Sequence, residues 1–417
     1  MRFVVGKGGV GKTTVAAATA VSLARRGSRV LLVSLDQAHS VAEVIGAPRR
    51  PGTSDALAAI DGTDRDGGGL EILELDTLAL LEHRLAGAAA LVPGGPEHDH
   101  SLSVPDPEEL TALPGAQELA GLVEVTRLAD SGDWDDLVVD CPATADSLRL
   151  LTVPDLVADT VERIWPQHQR VTLGQGTTQW HLLAAMMIDR LVASTAPVRA
   201  LLGDPARTGV RLVVGPTVVA VAEAKRTVTA LALIGVALDD VVVNGLLPQD
   251  DSIRDDGSAA PALHWYVRRA AAQRAIVADL SATLPAVPVH VAHDRGDEPV
   301  GLSILDALAD DVAQSGAVTA PGADEPESAA SRHVPAVEHE SGAGVDSVYA
   351  LRIPLPLVDP ATITLGRVGD DLLIGAAGVR RRMTLASVLR RCVTVGAGLE
   401  GDDLVVRFRP DPEVWPQ

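Results

Sequence analysis

Gly6-Lys7-Gly8-Gly9-Val10-Gly11-Lys12-Thr13-Thr14 fits G-x-x-x-x-G-K-[ST] at every position, the spacing of a phosphate-binding loop. Upstream, Arg2 to Val5 is a short β-rich run. Downstream, Thr13 to Arg26 is alanine-rich with apolar residues at helical spacing. The loop therefore leaves a strand and enters a helix, where unpaired N–H groups and the helix dipole favour an anion. Glycines at 6, 8, 9 and 11 open backbone angles closed to other residues and let main-chain N–H groups approach phosphate. In this pattern Lys12 reaches the β- and γ-phosphates and the Thr13 hydroxyl ligates Mg2+. Only three of the 35 Lys and Arg residues are lysines, at 7, 12 and 225. Two of the three stand in this loop, which points to a need for a compact ammonium there.

Farther along, Arg29 to Ser34 is a continuous apolar strand of the kind found inside parallel sheets, and Asp36 lies just beyond it. Ligands of open α/β sheets bind outside the carboxyl ends of strands, so Asp36 should face the same crevice as the loop. Leu70 to Asp76 reads as a strand, Thr77 to Ala90 as a helix, and residues 92–107 as a loop. A helix from Pro114-Gly115 to about Leu128 leads to the strand Trp134 to Val139. That strand ends at Asp140, an acidic residue in the Walker B position for Mg2+. Residues 155–208 are helical by pattern, most apolar at Leu182 to Ile188. Strands at Val210–Val214, Val241–Val243 and Pro288–Val291 alternate with helices at Val219–Leu233, 260–283 and Val300–Val312. This alternation predicts a doubly wound, mostly parallel α/β sheet of the P-loop NTPase type with a helical insertion.

Composition changes after residue 313. Residues 314–345 are rich in Ala, Gly, Ser, Pro and Glu and read as a flexible acidic linker. From 346 to 412, short strands with turn signals, including Gly-Asp-Asp at 369–371 and 401–403, predict a small antiparallel all-β sandwich. A net charge of -21 argues against nucleic acid or an anionic membrane as partner. No stretch approaches the length of an integral membrane segment, and Met1 opens almost directly into the first strand, so neither membrane span nor leader is expected. Two cysteines, Cys141 and Cys392, form neither a disulfide framework nor a zinc site, so zinc is not expected and the compartment reads as cytoplasmic. Cys141 reads as a small buried residue.

With these motifs in hand, the chain resembles the ArsA-type ATPases, a family that includes the arsenite-pump ATPase and ATPases that target tail-anchored proteins. The deviant Walker A loop from Lys7 to Thr14 carries the resemblance, with three other stretches. Ser34 to Ser40 is similar to the first switch, Asp140 to Leu151 to the second, and Val241 to Leu247 to a V-V-N-x-L strand. The C-terminal strands, with Leu355-Pro356 and Arg380 to Leu385, look like the α-crystallin-like domain of some members.

The resemblance implies that Gly6, Lys7, Gly8, Gly9, Val10, Gly11, Lys12, Thr13 and Thr14 bind ATP, with Asn244 on the adenine. It implies that Thr13 and Asp140 hold Mg2+, and that Asp36, Lys7 and Lys12 are catalytic. Lys7 would reach across a homodimer to the partner's nucleotide, and Asp36 would orient the attacking water. His39 carries over as a motif residue with no chemistry assigned. Gln37 departs from the family's proline, Pro142 is displaced by one place, and Ala145 and Asp146 stand for glycine and histidine. Slow hydrolysis is the expectation, with ATP acting as a conformational clamp. The implied function is a nucleotide-gated dimeric switch handling hydrophobic or tail-anchored client proteins. The alternatives are the ATPase subunit of an arsenite or anion efflux system, which would want more thiols, and a ParA- or MinD-like positioning ATPase, which would want a basic face or an amphipathic membrane helix.

Overall fold

The computed structural model describes residues 1–38, 40–47, 58–60, 63, 68–90, 115–164, 166, 179–248, 260–315 and 335–415. The chain forms two compact units, residues 1–207 with 298–310, and residues 208–297 with 311–417.

In the first unit, β1 (Arg2–Gly6), β2 (Arg29–Ser34), β4 (Gly69–Glu74) and β5 (Asp136–Ala143) run parallel. The short β3 (Ala58–Ala59) pairs antiparallel with β4, giving the order β3-β4-β2-β5-β1. Phe3, Val4 and Val5, Val30 to Val33, and Val138 and Val139 are fully buried, as expected of parallel strands covered on both faces. Helix α1 (Lys12–Arg25) buries Ala16, Ala17, Ala18 and Ala20. Small side chains there allow a close approach to the sheet. The unit also contains α2 (Val41–Ile45), α3 (Thr77–Ala90), α4 (Ala116–Asp130), α5 (Thr144–Ile164) and α6 (Gln179–Leu202). The surroundings of the Leu182 to Ile188 side chains, and the expected loop at 92–107, lie outside the described residues. Element boundaries differ from the sequence reading, most tellingly in β5, which starts at Asp136 rather than Trp134 and does not end at Asp140 but continues to Ala143. Asp140 is paired with Val4 on one side and Ser34 on the other.

In the second unit, β6 (Gly209–Val214), β7 (Leu238–Leu246) and β8 (Val289–His293) are also parallel, with helices α7 (Val218–Ile234) and α8 (Pro261–Thr283) between them. Arg211 of β6 and Asp240 of β7 are register partners and form a buried two-pronged ion pair at 2.7 and 2.8 Å. α7 starts at an extended Thr217 whose side chain accepts the Ala220 N–H, and stops at Gly235, with φ of 80°. These are favoured start and stop residues. Helix α9 (Leu302–Gln314) follows in sequence, its residues 302–310 counted with the first unit and 311–314 with the second. Among the described residues, no helix is long and apolar enough to cross a membrane.

The C-terminal strands form the sandwich expected from sequence. One sheet has the order β14-β15-β10-β9 and the other β11-β12-β13. Their ranges are β9 Ala336–Ser341, β10 Val348–Pro354, β11 Thr364–Val368, β12 Asp371–Ala376, β13 Val379–Thr384, β14 Cys392–Glu400 and β15 Asp403–Pro410; α10 (Ser387–Arg390) precedes β14. Leu351, Ile353, Leu404, Val406 and Phe408 face Leu372, Ile374 and Ala376 in a single core. β9 falls inside the stretch expected to be linker. All its residues are exposed, so no apolar alternation marked it. It is held by pairing with β10 and by ion pairs, Glu340 to Arg407 at 2.8 Å and Glu338 to Arg352 at 3.0 Å. The greater part of that stretch, 316–334, lies outside the described residues.

The sandwich is not a detached bead. Leu233 of α7 is fully buried within its core. The Thr229 hydroxyl donates to the Pro356 carbonyl at 2.7 Å, and Arg381 Nη1 donates to the Leu233 carbonyl at 2.8 Å. Arg381 thus satisfies an orphan carbonyl at the helix C-terminus, where a cation is favoured. Because Leu233 serves both parts, Leu233→Ala is expected to cost about 2–5 kcal/mol and to lower the urea midpoint of helix and sandwich signals together. An unchanged midpoint would contradict this packing.

Candidate nucleotide site

The glycine-rich loop begins at the end of β1 and feeds α1. Gly9 and Gly11 have φ of 80° and 85°, in the left-handed region that side chains avoid. A Cβ added at Gly8 or Gly9 would meet nothing within 4 Å, so the space over the loop is open and these glycines serve backbone shape rather than crowding. Lys12 is buried at 7% exposure, with Nζ 3.5 Å from the Lys7 carbonyl. Its ammonium is thus held against the loop backbone rather than free in solvent. Lys7 itself is exposed.

Three elements converge on Asp140, whose carboxylate is 1% exposed. The Thr13 hydroxyl, in the first turn of α1, donates to Oδ2 at 2.9 Å, and the Ser34 hydroxyl, ending β2, reaches the same oxygen at 3.4 Å. Oδ1 has no hydrogen-bond partner. A buried carboxylate oxygen left bare is costly, and it fits a site meant for a cation or its water. Burial is the main reason the Asp140 carboxyl is pushed up to about 7, with the nearby Asp36 charge adding to it and Thr13, Lys12 and Ser34 opposing it.

Asp36 follows β2 by two residues. Its N–H donates to Ser34 Oγ at 3.3 Å, and its Oδ1 accepts the Ala38 N–H at 3.0 Å. Thr13, Ser34, Asp36, Lys12 and Asp140 therefore stand together, as read from sequence apart from Ser34. Ser34 had a sequence signal, a hydroxyl closing an otherwise apolar strand. His39 lies outside the described residues. Asn244 belongs to the second unit, near the carboxyl end of β7, with its backbone paired to Ala292.

The second switch opens α5. Ala145 and Asp146 are both exposed in its first turn, and Asp146 pairs with Arg149 at 3.1 Å. Gln37 Nε2 donates to Gln117 Oε1 of α4 at 3.4 Å, a side-chain tether where the related motif has a proline. Cys141 is fully buried, with burial as the first cause and Asp140 as the second holding its thiol well above the usual range. It is a packing residue, not a thiolate.

The raised Asp140 carboxyl has a pH consequence. In the folded chain without nucleotide it binds its proton more tightly than in the unfolded chain. Stability from this group is therefore present at low pH and lost as pH rises from about 4 toward about 7. Asp140→Asn should raise the melting temperature of nucleotide-free protein at pH 8, with the difference shrinking toward pH 4. An equal effect at both pH values would contradict the assignment.

Residues 1–313 match the family model of the anion-transporting ArsA ATPases, and residues 346–408 match the HSP20-like domain found in ArsA. Protein Rv2184c of Mycobacterium tuberculosis is 44% identical over 423 residues, covering 99% of this chain and 96% of that protein. The arsenical pump-driving ATPase of Escherichia coli is 30% identical over 312 residues, 73% of this chain and 48% of that protein. ATPase GET3B of Arabidopsis thaliana is 28% identical over 270 residues, 59% of this chain and 64% of that protein. With three quarters of its length matched by one family model, the chain belongs to the ArsA ATPase family.

Proposed function

We propose that the chain binds and hydrolyses Mg-ATP as a nucleotide-gated homodimeric switch that handles hydrophobic client proteins. The observation that carries the nucleotide part is the buried Asp140, bonded through one oxygen to Thr13 and bare at the other. In this reading the N–H groups of Gly8 to Thr14 and the Lys12 ammonium hold the phosphates, and Asn244 recognises the adenine through its amide. Thr13 and Asp140 would hold Mg2+, whose charge would offset the negative charge that develops on the phosphates. Asp36 orients the attacking water, a positioning task suited to a carboxylate. Lys7 serves the nucleotide of a second copy. Ala145 offers its N–H only from helical backbone, which supports slow turnover.

Exposed apolar side chains on α5 and α6, Leu156 at 59% and Leu191 at 44%, support an apolar client surface after the second switch. The second reading is energising of arsenite or anion efflux, favoured by likeness to the arsenical pump-driving ATPase of Escherichia coli. Against it, both cysteines are buried and burial raises both thiols, whereas As(III) calls for thiolates.

Lys12→Ala should abolish Mg-ATP binding measured by calorimetry; unchanged affinity would sink the nucleotide reading. Asp36→Asn should bind ATP, fail to turn it over, and elute as a dimer with ATP on size-exclusion chromatography. A monomer under those conditions would count against the dimeric switch. Apolar proteins captured by that trapped dimer favour the client reading, and arsenite-stimulated turnover of the unmodified chain favours the efflux reading.

A further inference from the structure

The loop that carries Asp36 is tied at both ends. At its start, Leu35 N–H donates to the Asp140 carbonyl at 2.9 Å, and Ser34 Oγ accepts the Asp36 N–H. At its end, the chain enters α2 at Val41. Ser40 stands in the N-cap position, and serine is a favoured cap, yet its hydroxyl makes no cap hydrogen bond. The cap comes from elsewhere. Val41 N–H and Ala42 N–H both donate to Glu74 Oε1, at 3.0 and 3.2 Å. Glu74 is the last residue of β4, and β-pairing places it directly beside Ser34, while Leu75 N–H donates to the Ser34 carbonyl at 3.1 Å.

Ser34 and Glu74, neighbours across two parallel strands, therefore hold the two ends of one loop. The segment between them, Leu35 to Ser40, includes the residue assigned to orient water. A helix of five residues with no local cap has little stability of its own. Charge-assisted bonds from a carboxylate to two N–H groups are stronger than neutral ones, so Glu74 is the main fixture at that end. We infer that Glu74 is a positioning residue for ATP hydrolysis, acting through Asp36 by clamping the start of α2. This rests on the ATPase reading above. Glu74 bonds to the start of α2 and, among the described residues, not to the phosphate loop or Asp140, so its removal should spare nucleotide binding. Misplacing a reacting group by about 1 Å costs up to about 100-fold in rate.

The test is steady-state kinetics of the full chain with Mg-ATP. Glu74→Ala should lower kcat about 10- to 100-fold with KM for ATP within about two-fold of the unmodified chain. Glu74→Gln keeps an oxygen acceptor and should recover most of the rate. Glu74→Asp keeps the charge but shortens the reach, and should lose most of it. Hydrogen exchange at the Val41 and Ala42 amides, which needs no turnover, should speed up in Glu74→Ala and stay slow in Glu74→Gln. An unchanged kcat in Glu74→Ala, or equally protected amides, would overturn the role of Glu74. An unmodified chain that binds but never hydrolyses ATP would instead overturn the ATPase reading, and the amide measurement would still decide whether the clamp exists. Should Glu74→Ala fail to fold, Glu74→Asp and Glu74→Gln carry the comparison.

Discussion

A carboxylate buried with one oxygen bonded and the other bare is the constraint around which the first unit is arranged. Asp140 sits mid-strand in β5, flanked by Val4 of β1 and Ser34 of β2, so its side chain cannot turn away to water. Thr13 at the start of α1 and Ser34 both donate to the same oxygen. Burial pushes this carboxyl up to about 7, and a divalent cation would offset the unmatched oxygen by its charge. Such arrangements, where burial shifts a group far from its ordinary behaviour, are more common at functional sites than elsewhere.

Much of this was legible in the sequence because it is local. The phosphate loop, its strand and its helix are contiguous, Thr13 and Asp36 lie within two residues of an element end, and Asp140 closes the apolar run Leu137 to Val139. What escaped the sequence depends on pairing between distant strands. Glu74 ends an unremarkable strand, and nothing in its neighbourhood says that its register partner is Ser34 or that it caps a helix 33 residues earlier. β9 escaped for a related reason, since none of its side chains is buried and its place is set by backbone pairing and charge. β13, Val-Arg-Arg-Arg-Met-Thr, hides a strand under an arginine run. Two of those arginines are consumed in fixed contacts, Arg381 on the α7 carbonyl and Arg382 on Asp371.

The C-terminal sandwich adds a second lesson. Its likeness to an α-crystallin-like domain suggested a separate module on a tether. In the second unit its core takes in Leu233 of α7, and Gly235 at the end of that helix lies against Arg381, whose guanidinium would stand 3.2 Å from an added Cβ. The glycine thus permits both the helix stop and the arginine contact. The α/β part of this unit and the sandwich share side chains, so one cannot be trimmed away without exposing the other.

The account turns on Asp140 and Thr13 forming a cation site beside the phosphate loop. Titrating Mn2+ into the protein with ADP, followed by electron paramagnetic resonance, reports that site directly, because bound and free ion give separable signals. One nucleotide-dependent ion per chain is expected, lost in Asp140→Ala. No ion taken up by the unmodified chain, or an ion held as tightly in Asp140→Ala, would contradict it.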